Sequence, residues 1–222
     1  MALTSTQETI LKELAKSTLR DRFYWSGGTL LAEKYLQHRY SFDVDLFTDQ
    51  PFKYSDVYPM IESVKKADDL TVVEEKKVFD RWEFFIHNHN EVRCEFVHYD
   101  FKPLKPRKLW RGVMVDSLDD LAANKIMAAM DRREPKDVVD IYFLMTKKKM
   151  KLTKLLSLAG RKFGLKVSEA TLIGQLLVTC QLLASVKPLL FGTLAEQARL
   201  VEVIERFFKN LSVNFVKKQL LE

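Results

Sequence analysis

Cysteine is nearly absent from this chain: Cys94 and Cys180 are the only two in 222 residues. They are too few and too far apart for a disulfide framework or a cysteine-based zinc site. Long apolar runs are missing too, and none reaches the roughly 20 residues that a membrane helix needs. The opening Met1-Ala2-Leu3-Thr4 lacks the charged segment before an apolar stretch that marks a secretory signal. There is no internal repeat. A reducing cytoplasm and no membrane partner are the expectations. Net charge is lacking in the first half, where residues 1–115 hold 18 Lys+Arg against 18 Asp+Glu. The whole excess of +6 therefore falls in 116–222, with 18 against 12. What is present is a globular composition, 47% hydrophobic and 30% charged, long enough for one large or two small domains.

The richest stretch runs from Trp25-Ser26-Gly27-Gly28-Thr29 to Arg39-Tyr40-Ser41-Phe42-Asp43-Val44-Asp45-Leu46-Phe47. It reads as a short strand, a Gly-Gly turn, a helix, and a strand with carboxylates at i and i+2. Side chains two apart share a strand face, so Asp43 and Asp45 stand together while Val44 and Leu46 go inward. Two such charges repel unless a cation lies between them, and hard oxygen ligands suit Mg²⁺. The Gly-Gly turn offers bare N–H groups at a helix start, where a phosphate is well received. An isolated Asp-x-Asp is more often an exposed face, and a lone Gly-Gly more often a plain turn. Together in about twenty residues, they point to phosphoryl or nucleotidyl chemistry. A basic second half beside an acidic metal site suits a polyanion, whether a nucleoside triphosphate or RNA.

Along the chain, an amphipathic helix is expected over Thr4–Lys16, a strand over Arg22–Trp25, a helix over Thr29–Gln37 and a strand over Asp43–Thr48. A helix follows from Ser55, a plausible cap, to Lys66. Three β-rich runs come next: Leu70–Phe79, Arg81–His87 and Glu91–Tyr99, with turns at Asp80 and Asn88-His89-Asn90. Phe101–Lys108 is a connection, and 112–115 a last short strand. From Ser117, with Asp119 and Asp120 favouring the helix dipole, everything reads as helical: Leu121–Met130, Asp137–Met145 after an interruption at Pro135, Leu152–Phe163, Ala170–Ala184 and Ala195–Lys209. The expected fold is α/β (α+β): a small mixed-sheet domain over 1–115 carrying the site, then a helical domain over 116–222.

The pattern Gly-Gly-Thr, then Arg-x-Ser-x-Asp-x-Asp-Leu-Phe, resembles the nucleotidyltransferase signature of the DNA polymerase β superfamily, in its AbiEii-like toxin branch. Gly28 stands where the superfamily often has Ser, and Thr29 follows it. A second match runs from Asn124 to Tyr142, where a helical Lys125 is followed by Lys136-Asp137-x-x-Asp140. The resemblance covers roughly residues 22–145 and says little about the remainder. It implies a small mixed-sheet nucleotidyltransferase domain that moves an NMP from an NTP to an acceptor hydroxyl, releasing pyrophosphate. The acceptor would be RNA such as tRNA, or a protein, and a cognate antitoxin would be the partner. Asp43, Asp45 and a third acid would hold two Mg²⁺ ions. Glu95 matches the third position, where Asp is commoner; Glu83, one strand earlier, is its rival. Gly27, Gly28 and Thr29 would receive phosphates, with Arg39 and Ser41 bordering the acids. Arg39 would touch a phosphate or brace the carboxylates. Lys125 would contact the triphosphate, and Asp137 would act as base or as partner to Lys125. Alternatives are a nucleotide-binding module without turnover and transfer to a small molecule, as antibiotic-modifying relatives perform. His87-Asn88-His89-Asn90 reads as a hairpin turn rather than a nuclease or zinc motif. The run Lys147-Lys148-Lys149 with Lys151 and Lys154 is either a solvated helix end, the slightly favoured reading, or an RNA contact.

Overall fold

A computed structural model describes residues 3–67, 70–87 and 91–221. The turn expected at Asn88-His89-Asn90 lies outside the described residues. The chain forms two compact units, one of Met1–Gln37 with Ser41–Leu121, the other of His38–Tyr40 with Ala122–Glu222. The expected division at 115/116 thus differs from the structural one. The first turn of the helix that opens there stays with the sheet, and three residues from before the second strand join the helical unit.

The first unit is built on a mixed seven-stranded sheet. Its strands are β1 (Tyr24–Ser26), β2 (Val44–Thr48), β3 (Thr71–Val78), β4 (Arg81–His87), β5 (Glu91–His98), β6 (Lys108–Trp110) and β7 (Val113–Val115). Their order is β3-β4-β5-β2-β1-β7-β6. Pairing is antiparallel except for β1 with β7 and β2 with β5. The parallel pairs need crossovers. One links β2 to β5 through α3 (Tyr54–Ala67) and the β3–β4 hairpin. Val44, Leu46, Cys94, Phe96 and Phe84 alternate inward and are fully buried, forming one side of the core. Phe23 meets Phe52 and Phe96 edge-on at 5.1 and 5.2 Å.

Helix α1 (Ser5–Lys16) starts at a capping box in which Thr4 Oγ1 accepts from the Gln7 N–H and Gln7 Oε1 from the Thr4 N–H. Helix α2 (Gly27–Leu30) runs on as a π-helical stretch over Leu31–Leu36. Ser55 lies inside α3 rather than capping it; the Asp56 carboxylate accepts the Lys53 N–H at that end instead. Strand β6 starts at Lys108, the last residue of the expected connection, and runs over residues for which no element was expected. It is short and half exposed, so it carries no apolar alternation to read.

The second unit is all-helical: most of α4 (Leu118–Asp131), then α5 (Pro135–Thr146), α6 (Leu152–Phe163), α7 (Glu169–Cys180), a 3₁₀ segment (Leu183–Leu189) and α8 (Leu194–Leu221). Pro135 opens α5 at a position where its missing N–H is no loss. The helix expected over Ala170–Ala184 breaks at Cys180, and α8 extends twelve residues past the expected Lys209. Those last turns bury no side chain, so periodicity could not mark their end. Ile126, Leu144, Leu155, Leu172 and Ile204 are fully buried and make this core. Among the described residues, no single helix is long and apolar enough to cross a membrane.

Candidate active site

On the face of the sheet opposite Val44 and Leu46, register brings Ser26 and three acids into a row: Ser26 lies opposite Asp45, Asp45 opposite Glu95, and Glu95 opposite Glu83. Glu95 is therefore the direct neighbour of Asp45, with Glu83 one strand further away. Asp43 lies just before β2 and joins the row through Arg93, whose Nη2 is 3.0 Å from Asp43 Oδ2 and 2.8 Å from Glu95 Oε1. Arg81 continues the chain of charges, 3.6 Å from Glu95 Oε2 and 3.2 Å from Glu83 Oε1. The Glu95 side chain is almost wholly buried. Burial pushes its pKa up, with Glu83 and Asp43 adding to the effect, although Arg93 and Arg81 pull the other way. Arg93 itself is half-buried: burial draws its pKa down, and Asp43, Glu95 and Asp45 more than restore it. These strands crowd negative charge onto one face, and a guanidinium holds it there.

The Gly-Gly turn abuts this face. Gly27 has φ +75°, and a Cβ placed on it would fall 1.6 Å from Asp45 Oδ2. The Asp45 carboxylate thus lies in space that only glycine leaves open. Ser26 precedes α2 without capping it, because its hydroxyl donates instead to Asp116 Oδ2 at 2.7 Å. Thr29 is fully buried; its hydroxyl bonds the Asp43 carbonyl and lies 2.9 Å from Ser41 Oγ. The Ser41 carbonyl accepts from Gln7 Nε2 at 3.0 Å. Thr29 and Ser41 therefore hold the segment that presents Asp43. The side chain of Thr29 is buried in this role, which leaves its backbone N–H as the group that could receive a phosphate. Asp116 was not singled out from sequence. An Asp before a helix reads as a cap, and only its bonds to the Trp25 carbonyl and the Ser26 hydroxyl place it beside the start of the Gly-Gly turn.

The remaining expected residues gather in the helical unit around a buried carboxylate. Asp140 receives Arg39 through Nε (2.8 Å) and Nη2 (3.0 Å), Lys125 Nζ (2.7 Å) and His38 Nε2 (2.6 Å). Lys125 also reaches Asp137 Oδ1 at 2.7 Å, and Arg132 Nε reaches Asp137 Oδ2 at 2.9 Å. Burial would raise the pKa of both acids, yet the cations prevail. Arg39 and Lys125 hold Asp140 well below the carboxylate range, and Lys125 and Arg132 lower Asp137. Burial lowers the Lys125 pKa, but Asp140 and Asp137 reverse it, so the ammonium is held charged. Arg39 is 1% exposed and grips Asp140 as a fork. Its Nη1 also donates to the Tyr40 carbonyl at 2.9 Å. The sequence signal for this pairing was the short reach of Asp137-x-x-Asp140 along one helix face.

Among the described residues, no three His, Cys, Asp or Glu side chains converge as they stand to hold a metal ion. The physical reason is visible: the Arg93 guanidinium lies between Asp43 and Glu95. The donor set still fits a hard divalent cation, since it is all carboxylate, shares one face, and already holds a positive charge. The Asp45 carboxylate in the glycine cradle would be the fixed member of such a set.

A family model described as the nucleotidyl transferase AbiEii toxin of type IV toxin–antitoxin systems matches residues 9–176. An uncharacterised Aquifex aeolicus protein is 26% identical over 163 residues, covering 71% of this chain and 74% of that one. Among solved structures, a Helicobacter pylori protein described as a candidate nucleotidyltransferase is similar at TM-score 0.57 and 18% identity, covering 93% of this chain and 94% of its own. JHP933 from Helicobacter pylori is similar at the same score and identity, covering 98% and 100%. At such identities the structural likeness is one of fold.

Proposed function

The chain belongs to the AbiEii family of nucleotidyl transferase toxins, and from that premise we propose that it is a metal-dependent enzyme moving an NMP from an NTP to an acceptor hydroxyl. The observation that carries this reading is the row Ser26–Asp45–Glu95 beside a glycine turn that a single methyl group would close. Asp43, Asp45 and Glu95 would hold divalent magnesium, two ions in the full arrangement. Bound there, magnesium would neutralise charge on the transferred phosphorus and the leaving pyrophosphate, and lower the pKa of the attacking hydroxyl.

The chain's own residues do the positioning. Gly27 and Gly28 bring backbone close to the acids, where N–H groups at the start of α2 favour a phosphate. Thr29, Ser41 and Gln7 fix the segment before β2, so that Asp43 is presented without searching rotamers. Arg93 neutralises Asp43 and Glu95 in the resting chain, and with a cation on those acids its guanidinium would be available to a substrate phosphate. Glu83, behind Glu95, steadies Arg81 and is not a ligand. Lys125 and Asp137 organise the helical unit, their charges satisfied by each other, Asp140 and Arg132.

The acceptor we favour is RNA, because the positive excess of the second half suits a polyanion. A type IV toxin implies a cognate antitoxin, and the cytoplasm is the setting. The test is to incubate the purified chain and magnesium with each α-labelled NTP, total RNA and total protein. Label should enter the RNA fraction with one preferred NTP. Label entering protein instead would reject the RNA acceptor while keeping the enzyme class; label entering neither would reject transfer to a macromolecule.

A further inference from the structure

At the far end of the first unit's sheet, the tip of the β3–β4 hairpin and the start of α3 enclose a cleft of about 290 Å³. Its walls include the rings of Tyr54, Phe79 and Trp82 and the cations Lys53, Lys77 and Arg81, with Asp80 as the one acid. Tyr54 and Trp82 rings lie 4.8 Å apart, and Lys77 Nζ is 5.8 Å from the Trp82 ring. That size falls near the lower limit of small-ligand pockets, roughly 300–1,000 Å³, and suits a nucleotide or two rather than a duplex.

Phe79 is the telling residue. It occupies a two-residue turn between paired Val78 and Arg81 with φ +50°, where glycine, asparagine or aspartate is favoured. It is also 91% exposed, so it gains nothing from burial in the fold. A large ring held in a strained backbone and surrounded by water serves neither packing nor turn formation. Such an outlier argues for a ligand that covers it.

We propose that this cleft holds unpaired bases of a single-stranded RNA acceptor, stacked on Phe79 and Trp82 with phosphates toward Lys53 and Lys77. Rings with interleaved cations are the arrangement that binds single strands with little sequence preference. Arg81 joins the cleft to the candidate site, since it lines the one and lies 3.6 Å from Glu95 in the other. The Tyr54 and Trp82 wall of the cleft lies on the sheet face opposite to that of Glu83 and Glu95, and Arg81, at the start of β4, is the residue that cleft and site share. The inference rests on the RNA-acceptor reading and adds where the RNA is gripped.

The experiment is fluorescence anisotropy of a labelled octauridylate with the full chain, comparing wild type with Phe79→Asn and Lys77→Ala. Asparagine suits the turn, so Phe79→Asn should keep or raise the melting temperature while weakening octauridylate binding about 5–20-fold, the loss of one stacked base. Lys77→Ala should weaken binding and reduce its salt dependence, and NTP binding should be unchanged in both. If wild type binds octauridylate and both variants bind it equally well, the cleft is not the grip, although RNA remains the acceptor. If wild type binds no RNA and labels protein instead, the RNA reading fails and this inference with it. A fall in stability that matches the fall in binding would show that Phe79 serves the fold, and would likewise overturn the proposal.

Discussion

Gly27 and His38 show how much rests on single side chains. Adding one methyl group at Gly27 meets Asp45 Oδ2 at 1.6 Å and forces a left-handed φ on alanine. The carboxylate is the part that must move. Gly27→Ala should therefore lower nucleotidyl transfer by roughly 10²-fold, the scale of losing a major electrostatic group, while the strain itself costs only about 1 kcal/mol. Transfer kinetics beside a thermal melt separates the two; wild-type transfer in a folded Gly27→Ala protein would remove the cradle argument. His38 makes a different prediction. Its Nε2 donates to Asp140, while buried Nδ1 has no hydrogen-bond partner. Burial, opposed by Asp140, lowers its pKa. The unfolded chain thus takes up a proton near pH 6.5 while the folded chain still resists. Stability should be full above pH 6.5 and fall as pH drops from there toward the lower folded pKa. The depressed carboxyl of Asp140 begins to matter only below about pH 4. Melting temperatures from pH 8 to 5 should show this slope, and His38→Gln should flatten it. An unchanged slope in that variant would locate the titration elsewhere. The Gly-Gly turn ahead of the Asp-x-Asp strand was legible in sequence. Its clash with Asp45 was not, because it depends on β1 and β2 pairing Ser26 with Asp45.

Among the elements, α5 carries the sharpest case. Its two inward acids, one turn apart, were readable from Asp137-x-x-Asp140 and from helical periodicity. That Arg39, a hundred residues earlier, would close on Asp140 was not readable, since nothing local marks so distant a partner. A basic residue before an Asp-x-Asp strand invites a phosphate or carboxylate assignment nearby. A carboxylate as deep as Asp140 requires paired cations, and Arg39 supplies a fork. Arg39→Lys should cost roughly 1–3 kcal/mol by losing the bidentate geometry, and Arg39→Ala roughly 3–5 kcal/mol by leaving Asp140 short of a cation. Urea unfolding read by helical circular dichroism checks this; equal stability of all three proteins would mean that the network adds nothing. Alternation made the strands with one buried face legible, and β2 follows its expected pattern, Val44, Leu46 and Thr48 inward. Strand β6 and the end of α8 escaped because neither buries a periodic face. Strand order escaped as well, since hydrophobic pattern names the buried face of a strand and not its neighbour.

For the molecule as a whole, the chemistry divides between its two units. The sheet unit gathers acids, the glycine turn and an aromatic cleft, all set by strand register. The helical unit buries its own charges around Asp140 and carries the net positive excess of the second half. The class of enzyme was legible because its motifs are short, ordered and bound to one strand–turn–helix–strand run. The central claim is that the Asp43 and Asp45 pair drives transfer. It is tested most directly by timing label transfer from an α-labelled NTP in wild type, Asp43→Asn and Asp45→Asn, with Glu83→Gln as control, with and without a chelator. Transfer should fall by about 10²–10³ or more in either Asp variant and vanish with chelator, whereas Glu83→Gln should change it only mildly. Transfer at the wild-type rate in a folded Asp45→Asn protein, or transfer indifferent to chelator, would contradict the account.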